Sequence, residues 1–300
     1  MTAVLVTGAR GFIGGRLLAH LNSAGLLTHA DSAPGMTRGA LTLDGLRTRL
    51  GQAGVSAILH AAGSGTVGQV ATAPDCELPA NLAAALAVLE FARLHAPKAH
   101  LVVLSSAALY GNAPAVPQAE TETRAPVSLY GVAKMQVEQI AAHYAAQYGL
   151  AITAVRLFSV YGPGLRKQLL WDAMNKFAAG GNEFFGTGDE RRDWVHIDDV
   201  CRFMHLLLQH PAPAGSLRIY NCAAGHSATT ADVLAALATA AGAALPRFNG
   251  QLRVGDPACL VADCSKAEGD LGWRATVPWR EGVAQYAAWF AAQDSAKTAA

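Results

Sequence analysis

Tyr130 and Lys134 stand one helical turn apart, so a helix through Tyr130-Gly131-Val132-Ala133-Lys134 sets a phenol and an ammonium on the same face. An unperturbed phenol titrates near pH ~10, and a neighbouring cation favours its ionised form, which makes the pair a candidate proton-transfer device near neutral pH. Two hydroxyls, Ser105 and Ser106, close the apolar run Leu101-Val102-Val103-Leu104. Delivered to the carboxyl edge of a parallel sheet, beside a bound cofactor, such hydroxyls are natural donors to a substrate oxygen. A Tyr-Lys pair at this spacing also occurs on many solvated helices, so its meaning rests on the elements that position it.

Those elements begin at Ala3-Val4-Leu5-Val6-Thr7, a continuously apolar run of the kind found in parallel strands buried on both faces. It enters Gly8-Ala9-Arg10-Gly11-Phe12-Ile13-Gly14, which opens a helix through Leu17, Leu18 and Leu21. A glycine turn between a strand and a helix N-terminus is where a pyrophosphate binds, because bare backbone approaches the phosphates and the helix dipole favours negative charge. The G-x-x-G-x-x-G spacing departs from the G-x-G-x-x-G of ordinary dehydrogenases. Leu26 to Asp31 reads as a second strand ending in a carboxylate. Asp31 can accept from the adenosine ribose hydroxyls and would repel a 2′-phosphate, which favours NAD over NADP; Arg38 is the residue that would suit NADP.

A short strand is expected near Ala40 to Leu43, a helix from Asp44 to Leu50, and a further strand from Val55 to Leu59. His60-Ala61-Ala62-Gly63 at its end is small enough for a cofactor to lie against the backbone, and His60 is read as structural. Gly63 to Ala73 reads as a loop before a long helix from Glu77 to Leu94 that carries Asn81, and Ile152 to Leu157 as another strand. Past Phe158-Ser159-Val160-Tyr161-Gly162-Pro163-Gly164 the regular alternation gives way to glycine, proline and aromatic residues. Helices are expected at Ile197 to Gln209, Thr230 to Ala241 and Arg280 to Ala291, a strand at Ser216 to Asn221, and a frayed tail from Gln293. The acids Asp198 and Asp199, in a first helical turn, are given a structural role.

The chain has 300 residues, 52% hydrophobic and 15% charged, with a formal net charge of +1, so it can bury an ample core. Near-neutral balance argues against a nucleic-acid partner. Cys76, Cys201, Cys222, Cys259 and Cys264 are odd in number and form no Cys-x-x-Cys pair, so they are read as small buried hydrophobes rather than a disulfide framework or metal site. No apolar run approaches the ~20 residues of a membrane span, and the first strand begins too close to Met1 for a signal segment, so a cytoplasmic protein without a membrane partner is expected.

Three stretches taken together carry a resemblance: T-G-x-x-G-x-x-G at Thr7 to Gly14, S-S-A-A-L-Y-G at Ser105 to Gly111, and Y-x-x-x-K at Tyr130 to Lys134. They resemble the extended short-chain dehydrogenase/reductases, and within them the NAD-dependent epimerase/dehydratase branch acting on nucleotide sugars. The resemblance implies that Ser106, Tyr130 and Lys134 are catalytic, with Lys134 also holding the nicotinamide ribose. It implies an NAD site formed by Gly8, Gly11, Phe12, Ile13, Gly14, Asp31, Ala61, Ala62, Gly63, Asn81, Ser105 and Phe158, together with Tyr130 and Lys134. Thr42-Leu43 stands where the family usually brackets the adenine with Asp-Leu or Asp-Ile, and Ser159 where many relatives carry Asn.

For the substrate, Phe185-Gly186 resembles the step that packs on the nucleotide base, Arg192 begins an R-D-W-V-H signature, and Arg253 and Asp256 bound R-V-G-D. The two arginines are the expected diphosphate clamps, since guanidinium forks suit phosphate oxygens; Ser106, Tyr130 and Ser159 would meet the sugar side. The implied fold is α/β, a doubly wound parallel sheet with a smaller C-terminal α/β substrate lobe. Residues 1–157 would form the Rossmann-like NAD-binding domain, with segments of about 195–222 returning to it, and 158–300 mainly the substrate lobe. Relatives dimerise through helices that correspond to Asn81–Leu94 and Tyr130–Tyr148, so a homodimer is expected.

Dehydratases of the branch usually place an acidic pair just after the catalytic hydroxyl, and Ala107 and Ala108 stand there instead. The expectation is therefore 4-epimerisation of a UDP-sugar through a 4-keto intermediate, with NAD(P)H-dependent reduction of a nucleotide-4-keto-sugar as the alternative. A catalytically silent NAD-binding regulator is disfavoured by the intact Ser106, Tyr130, Lys134 set.

Overall fold

The computed structural model of the chain describes residues 3–31, 41–50, 54–63, 66–112, 117–251 and 257–298. The first half runs β1 (Ala3–Thr7), α1 (Phe12–Ser23), β2 (Thr28–Ala30), α2 (Leu43–Leu50), β3 (Val55–His60), α3 (Val67–Thr72), α4 (Pro74–His95), β4 (His100–Ser106), α5 (Leu129–Tyr148) and β5 (Ala151–Leu157). The second half continues β6 (Ser159–Tyr161), α6 (Gln168–Ala178), β7 (Glu183–Phe184), β8 (Arg191–His196), α7 (Ile197–Gln209), β9 (Ser216–Cys222), β10 (Ser227–Thr229), α8 (Thr230–Ala241), β11 (Arg247–Phe248), β12 (Cys259–Leu260), α9 (Ser265–Leu271) and α10 (Trp279–Thr298).

Alternation along β1 decides the layering. Val4 and Val6 point into a core shared with Leu17 and Leu21 of α1 and Phe203 of α7, while Leu5 joins Leu46, Val88, Phe91 and Ala141 of α2, α4 and α5 on the other face. A strand apolar on both faces must lie between two helix layers. Six described strands form one parallel sheet in the order β2-β1-β3-β4-β5-β9. The last of these, β9, returns from the second half of the chain to pair with β5.

Beyond β5 the chain turns into β6, which pairs with β8; β8 in turn pairs with β10 and β12. A further core lies here, built from Tyr161, Met174, Phe177, Trp194, Leu234 and Tyr286 and including the expected face Val283, Tyr286 and Phe290 of α10. Phe12, at the start of α1, packs against both this core and that of the large sheet. The glycine turn therefore sits where the two bodies of apolar packing meet.

Four local expectations are corrected. Leu41 and Thr42 are not strand, and Leu43 already begins α2; the Thr42 hydroxyl accepts from Gly45 N at 3.1 Å, so it starts the helix, while Ala40 lies outside the described residues. The loop expected from Gly63 to Ala73 contains α3, with Thr66 accepting from Gln69 N at 3.1 Å as its cap. Helix α10 runs on to Thr298 instead of fraying at Gln293. Cys201 and Cys222 are core residues as expected, but Cys76, in the first turn of α4, is exposed.

Candidate active site

The turn from β1 into α1 is closed by contacts that leave no space for a side chain at Gly8 or Gly14. Gly8 has φ 70°, and a Cβ there would lie 2.6 Å from Ala61 O; at Gly14 it would lie 2.2 Å from Gly8 O. The loop is thus bare backbone pressed onto the end of β3, and the N-cap of α1 is Gly11, which has no side chain to cover the free N–H groups. Asp31 sits beside the loop, its carboxylate accepting from Gly8 N at 2.8 Å and Ala9 N at 3.3 Å. His60 is structural: buried, with Nδ1 2.8 Å from the Thr7 hydroxyl, and held to a pKa of about 3 by burial and by the Lys134 charge.

A cavity of about 1320 Å³ opens over the carboxyl edge of the sheet. Gly11, Phe12, Ile13, Gly14, Ala61, Ala62 and Gly63 form one side; Ser105, Ser106, Tyr130, Lys134 and Phe158 form its floor. Asn81, Gly8 and Asp31 are not among its described lining residues. Asn81 is buried behind Gly63, where a Cβ would meet Asn81 Oδ1 at 2.5 Å, and its amide donates to Glu77 O at 2.7 Å. A bare glycine turn, an uncovered helix N-terminus and a carboxylate at the end of β2 fit a dinucleotide. Arg38 lies outside the described residues.

Ser106 ends β4, and its Oγ accepts from Ala108 N at 3.2 Å to start the 3-10 turn Ala107–Leu109. That bond leaves the hydroxyl proton free to turn towards the Tyr130 phenol, whose ionised form Ser106 favours. Ser128 caps α5 by accepting from Gly131 N at 3.2 Å, which fixes Tyr130 in the first turn. One turn on, Lys134 donates to Leu104 O at 3.0 Å, and its Nζ lies 5.7 Å from the Tyr130 ring centroid.

The expected easy ionisation of Tyr130 is corrected. Burial raises the phenol pKa and outweighs the Ser106 hydrogen bond that lowers it, while burial pulls Lys134 down to about 8. A low-dielectric wall disfavours both charges at once. The reading of Ser105 also changes. It borders the cavity but is buried, and its hydroxyl is taken up by Glu138, to which it donates at 2.6 Å, because successive strand residues point to opposite faces.

The far wall is made by Ser159, Phe185 and Arg192, with Gly186 and Glu190. Phe185 is half exposed. Glu190 shapes this loop: its carboxylate accepts from Thr187 N at 3.0 Å and Gly188 N at 3.1 Å, and a Cβ on Gly186 would clash with it. Arg192 donates to Arg191 O at 2.9 Å and to Ala258 O at 3.4 Å. Arg253 and Asp256 lie outside the described residues. Asp198 pairs with Arg16 at 2.5 Å, and Asp199 takes Thr276 N and Val277 N at 2.9 and 3.1 Å, so both acids are structural.

Sequence reasoning passed over Glu190 and the buried pair Glu138 and Arg156. Glu138 could have been found, since it continues the Tyr130, Lys134 face by one more turn.

Residues 4–223 match the NAD dependent epimerase/dehydratase family, and the chain belongs to it. Among curated relatives, UDP-glucose 4-epimerase of Corynebacterium glutamicum is 30% identical over 297 residues, covering 90% of each chain. Among solved structures, UDP-glucose 4-epimerase of Thermus thermophilus in complex with NAD superposes with a TM-score of 0.84 at 28% identity, covering 97% of this chain and 99% of that one. MoeE5 in complex with UDP-glucuronic acid and NAD superposes with a TM-score of 0.85 at 29% identity, with the same coverage. No described helix is long and apolar enough to cross a membrane.

Proposed function

We propose that this protein is a nucleotide-sugar 4-epimerase that inverts a UDP-linked sugar and retains its NAD throughout. The observation that carries the reading is the meeting of the Tyr130 phenol, the Ser106 hydroxyl and the Lys134 ammonium in one cavity wall, between the bare glycine turn and the Phe185 and Arg192 side. Tyr130 takes the proton of the sugar 4-hydroxyl as that carbon is oxidised, Ser106 donates to the same oxygen, and the 4-keto sugar turns over within the cavity. Tyr130 then returns the proton as the other face is reduced. NAD, when bound, supplies the hydride acceptor and donor.

Gly11 to Gly14 would hold its pyrophosphate, Asp31 the adenosine ribose and Lys134 the nicotinamide ribose. Arg192 and Arg253 would clamp the substrate diphosphate, with Phe185 against the base, Ser159 beside the sugar phosphate and Asp256 in the same loop. Small residues at Ala107 and Ala108 leave this wall without the acid pair that elimination of water would use. The UDP-sugars named with the structural relatives support the choice of nucleotide. A cytoplasmic homodimer belongs to the same reading.

The test is to denature the purified protein and identify the dinucleotide it releases. About one equivalent of NAD(H) per chain is expected. Release of no dinucleotide, together with consumption of added NADPH, would replace epimerisation by reduction of a keto sugar.

A further inference from the structure

Beneath the catalytic floor lies a buried polar row. Ser105, Arg156 and Asn221 are cross-strand neighbours on β4, β5 and β9, and all three are at most 2% exposed. Neighbours in register on a parallel sheet share a face, and the element covering this face is α5, through Glu138. Glu138 is 1% exposed. Its Oε1 accepts from Ser105 Oγ at 2.6 Å and Arg156 Nε at 3.0 Å, and its Oε2 from Arg156 Nη2 at 2.8 Å, with Arg124 Nη1 at 3.8 Å. Arg156 is satisfied on its other side by Tyr110 OH at 2.9 Å and Glu120 O at 2.8 Å, and Tyr110 OH donates to Asn221 at 2.8 Å.

Stability alone is a weak reason for such a pair. Taking two charges out of water is costly, and replacing a buried ion pair with apolar groups of similar size is often neutral or stabilising. Its position supplies a better one. On α5, Glu138 follows Lys134 by one turn; on β4, Ser105 immediately precedes Ser106. The 2.6 Å bond between them is therefore a strut between the helix that carries Tyr130 and Lys134 and the strand that carries Ser106.

We infer that Glu138, held bidentately by Arg156, is a positioning residue that sets Ser106 against Tyr130 by tying α5 to the end of β4 through Ser105. It touches no reacting atom; it acts through the catalytic hydroxyl. This rests on the roles given above to Ser106 and Tyr130.

The experiment compares wild type, Ser105→Ala and the apolar double variant Glu138→Leu/Arg156→Met, each loaded with its dinucleotide, in steady-state turnover of UDP-glucose and in thermal melting. The double variant is expected to melt within a few degrees of wild type, yet to lose about tenfold or more in kcat with KM within about threefold. Ser105→Ala, which keeps the ion pair, should lose about fivefold in kcat in the same way. A core role without positioning predicts kcat within about twofold of wild type for both folded variants, and that result overturns the inference. If the double variant does not fold, Ser105→Ala decides alone.

If wild type turns over no nucleotide sugar, the epimerase reading fails separately, and the strut is judged by the Tyr130 phenol. Its titration is read as the phenolate absorbance difference from Tyr130→Phe. In Ser105→Ala the apparent pKa should rise by about one unit as the end of β4, freed from Glu138, lets Ser106 move away from the phenol; an unchanged titration overturns the inference.

Discussion

At the scale of single residues, the site works against its own burial. Burial in the cavity wall raises the Tyr130 phenol pKa and lowers that of Lys134 to about 8, while the Ser106 hydroxyl acts the other way and favours the phenolate. Tyr130→Phe removes only the hydroxyl, and the expected result is a loss of about 10²–10⁴ in kcat with dinucleotide content unchanged. A variant within about tenfold of wild type would exclude Tyr130 as the acid/base.

His60 gives a prediction about acid stability. Its folded pKa is about 3 against the ordinary value of 6.5, so below pH 6.5 the unfolded chain binds a proton that the folded chain refuses. Stability is therefore lost as pH falls from 6.5 towards 3. His60→Gln keeps a partner for Thr7 without titrating, and its melting temperature should fall less than wild type between about pH 6.5 and 4, by roughly 5 °C. Equal losses in the two proteins would show that His60 is not the responsible group. The types and positions of Tyr130, Lys134 and Ser106 were legible in the sequence. The direction of the phenol shift was not, because it depends on burial that only the folded wall creates.

At the scale of elements, α5 must approach the 3-10 turn closely for Tyr130 to reach Ser106, and Gly131 permits it. A Cβ at Gly131 would lie 2.4 Å from Ala108 O. Gly131→Ala should push the helix away and lower kcat about tenfold or more, with a far smaller change in KM, which steady-state kinetics would show. Unchanged kcat would mean that the approach is not needed.

Helices α4 and α5 pack side by side on the sheet and still expose Leu86, Leu94, Leu129 and Tyr148. Light scattering at micromolar concentration is expected to give twice the chain mass, and Leu94→Glu to shift it towards the monomer; a monomeric wild type would sink the pairing. Long strands and helices were readable because period and capping agree in them. The short pieces were not: Ala40 to Leu43 has strand-forming residues, but the Thr42 hydroxyl spends itself on a helix N-terminus, and α3 is six residues long, with Val67 and the buried Val70 too few to show a helical period.

At the scale of the whole molecule, the cavity lies where the core of the large sheet meets that of the C-terminal segments, with Phe12 packed against both. This explains which part of the site could be read in advance. The wall proposed for the dinucleotide is built largely from residues close in sequence to a strand-to-helix turn, so local pattern reveals it. The far wall, proposed as the substrate side, brings together Ser159, Phe185 and Arg192 from separate elements, and only motif likeness, not periodicity, could gather them. The Glu138, Arg156 pair joins helix to strand beneath both sides, and its partners are paired by the sheet register, which the sequence does not print.

The proposed redox-neutral inversion at C4 is decided by proton NMR of UDP-glucose incubated with the purified protein in D2O, without added dinucleotide. UDP-galactose is expected to accumulate to a constant ratio while the hydrogen at C4 stays protium, because the hydride that leaves that carbon returns to it without exchanging with solvent. Deuterium appearing at C4, or a product that forms only when NADPH is supplied and consumed, would contradict it.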